Sequence, residues 1–202
     1  MTVEKGRDWG TSGPLPAGAV LARSDAEARA ALEEARRSGR PLPALGLLGG
    51  DLCRTLGGRG DEARLRDGGT RVQVDLGVAL LDGRSHLFVA HLVARRRWWR
   101  GRVVAVMNAQ FLGPWDAAPR AHPGDGRLDV LDGSLGPGDR WKARPRLRAG
   151  THVPHPGIAQ HRVPAWTAEL PRPTPVWLDG ARVGEARSLA VRVEPDAVTV
   201  VV

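Results

Sequence analysis

Apolar and polar positions change period part-way along the chain. From Ser24 to Gly39, alanines and Leu32 recur among paired charges at helical spacing. Ser24 followed three residues later by Glu27 makes a capping box, and Gly39 supplies the C-terminal stop, so this stretch predicts a helix. The glycine- and proline-rich residues 1–20 read as an irregular arm leading to a short strand near Gly18 to Ala22. In PLPALGLLGGDLCRTLGG an apolar run through Leu45 to Leu48 predicts a strand, Gly49 and Gly50 a turn, and Asp51 to Leu56 a short helix.

From Arg71 the pattern becomes short runs rich in valine and leucine: VQVDLGVALL, HLFVAHLVA, GRVVAVMNAQFL, RLDVLDG, PVWLDGARV, SLAVRVE and AVTVVV. Asp82-Gly83, Asp132-Gly133 and Asp179-Gly180 punctuate them as hairpin turns. The expected fold class is therefore α+β, with an α/β fragment over residues 1–69 and a β-sandwich over 70–202. No fixed-period repeat is present.

Charge changes this picture. Thirty basic against 22 acidic residues give +8 over 202 residues and a pI near 11.2, which favours phosphates, acidic lipid headgroups or nucleic acid. An arginine-rich composition inherited from a GC-rich genome gives the same charge without any function. The single cysteine, Cys53, excludes an internal disulfide. The opening MTVEKGRDWG lacks the apolar run of a signal peptide, and no later run is long enough to span a bilayer. The expected location is cytoplasmic, with any membrane contact peripheral.

Four segments, read in order, are similar to the diacylglycerol kinase type of bacterial lipid kinase, within the NAD kinase-like superfamily. LGLLGGDLCRTLG resembles the stretch ending GTGND, VQVDLG the Val-Asp-Leu-Gly strand, and MNAQFLGPWDAAPRAHPGDGRLDV the Asn, Gly and Asp-Gly-x-Leu-Asp run. PVWLDGARVGE resembles the Asp-Gly-Glu hairpin, and THVPHPG the His-x-x-His-Pro segment before the last strands. The resemblance runs from Leu45 to the end. It implies a nucleotide-binding α/β domain, a larger β-sandwich and a cleft between them for ATP and lipid. Against that pattern the first domain is shortened, and nothing between Met1 and Arg40 matches the GGDGT phosphate loop.

The resemblance also locates the groups that phosphoryl transfer requires, namely a phosphate-holding loop, a metal and a proton acceptor. Gly49, Gly50 and Asp51 keep part of GTGND, at a helix start that can hold a phosphate, while its threonine and asparagine are missing. Asp51 serves equally as a plain helix cap. In the hairpin Asp179 and Gly180 match, but Ala181 stands where relatives carry the proton-accepting glutamate. Glu185, four residues on, is displaced by roughly 3.3 Å per residue along a strand. Asp125 matches an aspartate that holds a structural magnesium in relatives; alternatively Asp125 and Asp129 are turn and strand-edge residues. His152, His155 and His161 suggest zinc, but the prolines at 154 and 156 extend the segment and no cysteine lies near.

In ARRRWWRGR, Arg95, Arg96, Arg97, Arg100 and Arg102 flank Trp98 and Trp99. Such a run suits an anionic lipid surface, or bases and a phosphate backbone, or a solvated loop whose tryptophans fold back onto the sandwich. The leading expectation is a catalytically deficient lipid-kinase-like protein binding anionic phosphate or lipid at a membrane surface. Magnesium at Asp125 is its one expected cofactor, because the missing loop counts against ATP. The alternatives are an active kinase completed by self-association or a partner chain, and a basic nucleic-acid-binding protein resting on charge and the tryptophan-arginine run alone. Unpaired strand edges left by the shortened domain make a homo-oligomer an expectation as well.

Overall fold

A computed structural model describes residues 9–97 and 101–202. The chain begins with β1 (Thr11–Gly13), β2 (Val20–Ala22), α1 (Asp25–Arg37), β3 (Leu45–Leu47), α2 (Asp51–Thr55) and α3 (Glu62–Gly68). It continues with β4 (Gly69–Leu81), β5 (Arg84–Phe88), β6 (His91–Arg95), β7 (Val103–Met107), β8 (Phe111–Leu112) and β9 (Trp115–Asp116). The remaining elements are β10 (Leu128–Gly133), α4 (Pro137–Arg148), β11 (Ile158–Val163), β12 (Ala165–Leu178) and β13 (Ala181–Val201).

The first helix forms as its ends dictate. Ser24 Oγ accepts the Glu27 N–H at 3.2 Å, and the Glu27 carboxylate accepts the Arg23 N–H at 2.8 Å. Gly39 takes φ +66°, which lets the Arg40 N–H reach the Ala35 carbonyl and close the helix end. Ala28, Leu32 and Ala35 are buried on one side, and β2 and β3 run parallel as a βαβ crossover requires.

The sheet path is β1-β4-β13-β12-β6-β7-β10-β11, with β5 paired to β4 and β2-β3 joined through β13. Two hairpins turn on an Asp-Gly pair as a two-residue loop. Asp82 and Gly83 take φ +47° and +82° between Leu81 and Arg84, and Asp179 and Gly180 take +51° and +81° between Leu178 and Ala181. Positive φ at both positions is the primed turn that matches strand twist. Along β13, residues 189–194 pair antiparallel with β4, and Val200 and Val201 pair parallel with Leu45 and Gly46 of β3. One strand therefore belongs to both parts. Their apolar residues share a core, in which Leu32, Leu45 and Leu47 join Val72, Val74, Val198 and Val200. The expected boundary between residues 69 and 70 falls one residue into β4, and one apolar core draws residues from both sides of it.

Two expectations need correction, and one element had no counterpart in the sequence reading. Asp132 and Gly133 make no turn; they lie inside β10, opposite Val104 and Val103 on one side and Ala159 and Ile158 on the other. The Asp132 carboxylate is instead engaged by Arg102 at 2.7 and 2.8 Å. The runs GARV, SLAVRVE and AVTVVV form one strand, in which an irregularity between Glu194 and Val198 places Asp196 at φ +50°. The stretch after Gly136 is a helix, α4, with no buried residue.

Candidate functional site

The Gly49-Gly50 turn brings the β3-α2 unit against the β2-α1 unit beside it. A Cβ on Gly49 would lie 2.5 Å from the Arg23 carbonyl oxygen, and one on Gly50 would lie 2.4 Å from Asp25 Oδ1. Those glycines permit the contact, and Gly50 at φ +97° also requires one. Through that gap Asp25 accepts the Asp51 N–H at 2.5 Å and the Leu52 N–H at 3.1 Å. The donors expected to face a phosphate thus face a carboxylate of the same chain.

Asp179 lies at the tip of the β12-β13 hairpin and is buried. Its carboxylate accepts three backbone N–H groups, from Val89 at 3.0 Å, Ala90 at 2.8 Å and His91 at 3.1 Å. Burial raises its pKa to about 6, although the His91 charge and those three donors pull it down. The Arg29 guanidinium stands 3.7 Å away. His91 then joins the two aspartates of the expected site: its N–H goes to Asp179, and its Nε2 lies 3.0 Å from Asp51 Oδ2. Burial alone would lower the His91 pKa, but the Asp51 hydrogen bond and the charges of Asp179, Asp51 and Asp25 raise it. Burial would raise that of Asp51, and the His91 and Gly113 hydrogen bonds with the nearby charges of His91 and Arg54 bring it below the ordinary value. Asp25 is raised by burial against its two helix donors.

Asp25, Asp51 and His91 present ligand atoms within 4.8 Å of one another, the one such trio among the described residues. Their hydrogen bonds give each a structural task already. Asp51 also accepts the Gly113 N–H at 2.8 Å, Thr55 Oγ1 accepts the Gln110 N–H at 3.0 Å, and Arg54 donates to the Gly113 carbonyl while lying over the Phe111 ring. Helix α2 is thereby tied to the segment after β7, across the place where the resemblance implies an open cleft. Ala181 begins β13, and Glu185 is paired on the exposed surface with Arg182.

Other motif residues clamp the backbone. Asp75 of VQVDLG accepts the Gly126 N–H at 2.7 Å and the Asp196 N–H at 2.9 Å, and Gly77 admits the Phe88 ring, which would meet a Cβ at 2.2 Å. Asn108 donates to the carbonyls of Asp75 and Val89. Asp125, the expected magnesium ligand, accepts the Arg127 N–H at 3.0 Å and is ion-paired with Arg162. Arg162 also lies 3.8 Å from Asp129, whose pKa burial raises to about 6. As folded, that carboxylate holds a guanidinium, so magnesium there would have to displace Arg162. The three histidines do not converge on a metal: His161 sits in β11, His155 Nδ1 accepts the Gly157 N–H, and His152 is buried.

Within the arginine run, Arg95 stacks over Trp177 at 4.2 Å and Arg96 donates to the Pro173 carbonyl, while Arg96 and Arg97 are exposed. Trp98, Trp99 and Arg100 lie outside the described residues.

A cavity of about 360 Å³ lies elsewhere, between the outer face of β7-β10 and α4. Val103, Ala105, Leu112, Leu131, Leu147 and Ile158 make its apolar wall, with Arg140, Arg144 and His152 as the basic groups. Neither His152 ring nitrogen has a well-formed hydrogen bond. Burial lowers its pKa, against smaller upward pulls from Asp116 and the nearby Ala117 carbonyl. No local pattern signals this site, since α4 carries only Ala143 and Leu147 as apolar inward positions.

Residues 63–202 match the family described as YegS C-terminal NAD kinase beta sandwich-like domain. The chain belongs to that family. Solved structures share the fold of this YegS-type chain. Three diacylglycerol kinase structures from Bacillus anthracis str. Sterne, two of them titled as provisional assignments, superpose at TM-scores of 0.55, 0.60 and 0.61. Each is 14% identical and covers 79% of this chain, and the match spans 67%, 69% and 70% of theirs. No curated protein matches. The YegS-type chain is thus lipid-kinase-like in fold, and among its described residues no helix is long and apolar enough to cross a membrane.

Proposed function

We propose that this chain is a cytoplasmic lipid-kinase-type protein that holds an anionic single-chain amphiphile beneath α4 and does not transfer phosphate. The observation that carries the reading is the 360 Å³ apolar cavity with Arg140 and Arg144 in its lining. Its size lies in the range of small-molecule sites, about 300–1,000 Å³. Guanidinium groups beside an apolar wall suit a ligand with a hydrocarbon tail and a phosphate or carboxylate head. His152, buried there with its pKa lowered, adds a neutral hydrogen-bonding group.

The absence of catalysis is supported by three features: the helix donors taken by Asp25, the alanine at 181, and α2 tied to residues 110–113.

Dodecyl phosphate below its critical micelle concentration tests the binding, by calorimetry on the full chain. Expected is a saturable site that Ala105→Phe weakens at least roughly tenfold by filling apolar space, with an unchanged melting profile. No binding to the wild-type chain would remove the reading. An assay with labelled ATP, magnesium and diacylglycerol should show no phosphorylated lipid, and turnover would restore the kinase alternative.

A further inference from the structure

Helix α4 divides cleanly by helical spacing. Arg140, Ala143, Arg144 and Leu147, at i, i+3, i+4 and i+7, line the cavity. Trp141, Lys142, Pro145, Arg146 and Arg148 occupy the opposite arc, and all are exposed. Trp141 is 73% exposed, well above Leu80 at 44% and Val20 at 36%, the other exposed large hydrophobic side chains among the described residues. Among 12 residues the helix has five cations and one acid, Asp139, and buries no residue.

A solvated basic helix accounts for the charge but not for the tryptophan. An aromatic ring flanked by cations is the arrangement that settles at the headgroup level of a bilayer, with the ring in the interface and the cations against acidic lipid. The neighbouring hairpin adds to it. Arg140 donates to the Gly101 carbonyl, so the start of α4 lies against the residue that leads into β7, and Arg96 and Arg97, which follow β6, are exposed.

We infer that the outer face of α4, with the adjoining β6-β7 arginines, docks on an anionic lipid bilayer and sets the amphiphile cavity against its surface. Such docking extends the amphiphile reading of the cavity, on which it rests for its purpose. Bilayer rather than nucleic acid is the occupant, because the described aromatic on this face is a single ring on a convex helix. Successive bases need a groove lined with stacking platforms.

Sedimentation of the full chain with sucrose-loaded vesicles of phosphatidylglycerol and phosphatidylcholine tests the docking, against vesicles of phosphatidylcholine alone. The chain should bind only the anionic vesicles, and salt should weaken it. The triple variant Lys142→Glu, Arg146→Glu, Arg148→Glu should lose at least roughly tenfold in affinity, since each cation near the surface contributes separately. Trp141→Ala should lose severalfold, and Trp141→Phe should reduce the vesicle-induced blue shift of tryptophan emission. All these positions are exposed, and thermal melts confirm that the variants fold. Docking is overturned if the wild-type chain ignores anionic vesicles, if the triple variant binds them as well as wild type, or if that variant loses only single-stranded RNA. Dodecyl phosphate separates the two readings. Surface variants that lose vesicles but keep it support docking, whereas Ala105→Phe losing dodecyl phosphate while keeping vesicles supports the cavity independently.

Discussion

The aspartates of the kinase-like motifs and His152 at the cavity meet burial in opposite ways. Asp25, Asp51, Asp75 and Asp179 are each engaged by backbone N–H groups or by His91 of the same chain. His152, equally buried, has no well-formed partner and faces a void. A buried polar group is costly unless it is satisfied, so the first set reports a closed structural device, whereas the second leaves a buried ring open to the cavity that the proposed amphiphile would fill. Motif aspartates that look catalytic in a sequence are here already engaged by groups of the same chain.

The comparison breaks most visibly at Asp179. Asp179→Ala leaves three buried N–H groups without an acceptor and should cost about 3 kcal/mol or more in urea unfolding. A loss below 1 kcal/mol would show that the carboxylate is there for something other than clamping. Asp25→Ala uncaps α2 and should cost about 1–2 kcal/mol, while leaving the chain without ATP affinity. Micromolar ATP binding by that variant would reveal a nucleotide site plugged by its own aspartate.

The smallest effect concerns pH. His91 has a folded-state pKa raised above its ordinary value, so its stabilisation is complete below about pH 6.5 and is lost as pH rises through the raised value. The melting temperature should therefore fall as pH rises from about 6.5 through the raised value. His91→Gln should flatten that decline, and an unchanged slope would assign it to other groups.

What could be read from the sequence followed the range of the interactions. The turns at Asp82-Gly83 and Asp179-Gly180 were legible because positive φ at both residues is a local demand. Asp132-Gly133 carries the same letters, yet it pairs on both sides with β7 and β11, and tertiary pairing overrides the dipeptide. Ser24 and Glu27 announced the start of α1. Asp25 between them looked like an ordinary first-turn acid, because the helix it caps starts at Asp51, in another unit. His91 had no local signal, since its partners come from α2 and the β12-β13 hairpin. Helix α4 was hidden by Pro145 and by an inward face with only two apolar residues. The fold class and family were legible, because alternating strands and spaced motifs depend on many residues at once.

The pairing of Val200 and Val201 with β3 also sets an order of events during synthesis. The β2-α1-β3 unit leaves the ribosome early, but its third strand is translated only after the whole sandwich. Until then Leu45 and Leu47 present an unpaired parallel edge, which neighbouring nascent chains can also pair with. Closing that edge joins residues near the two ends of the chain, a long-range contact of the kind that slows folding.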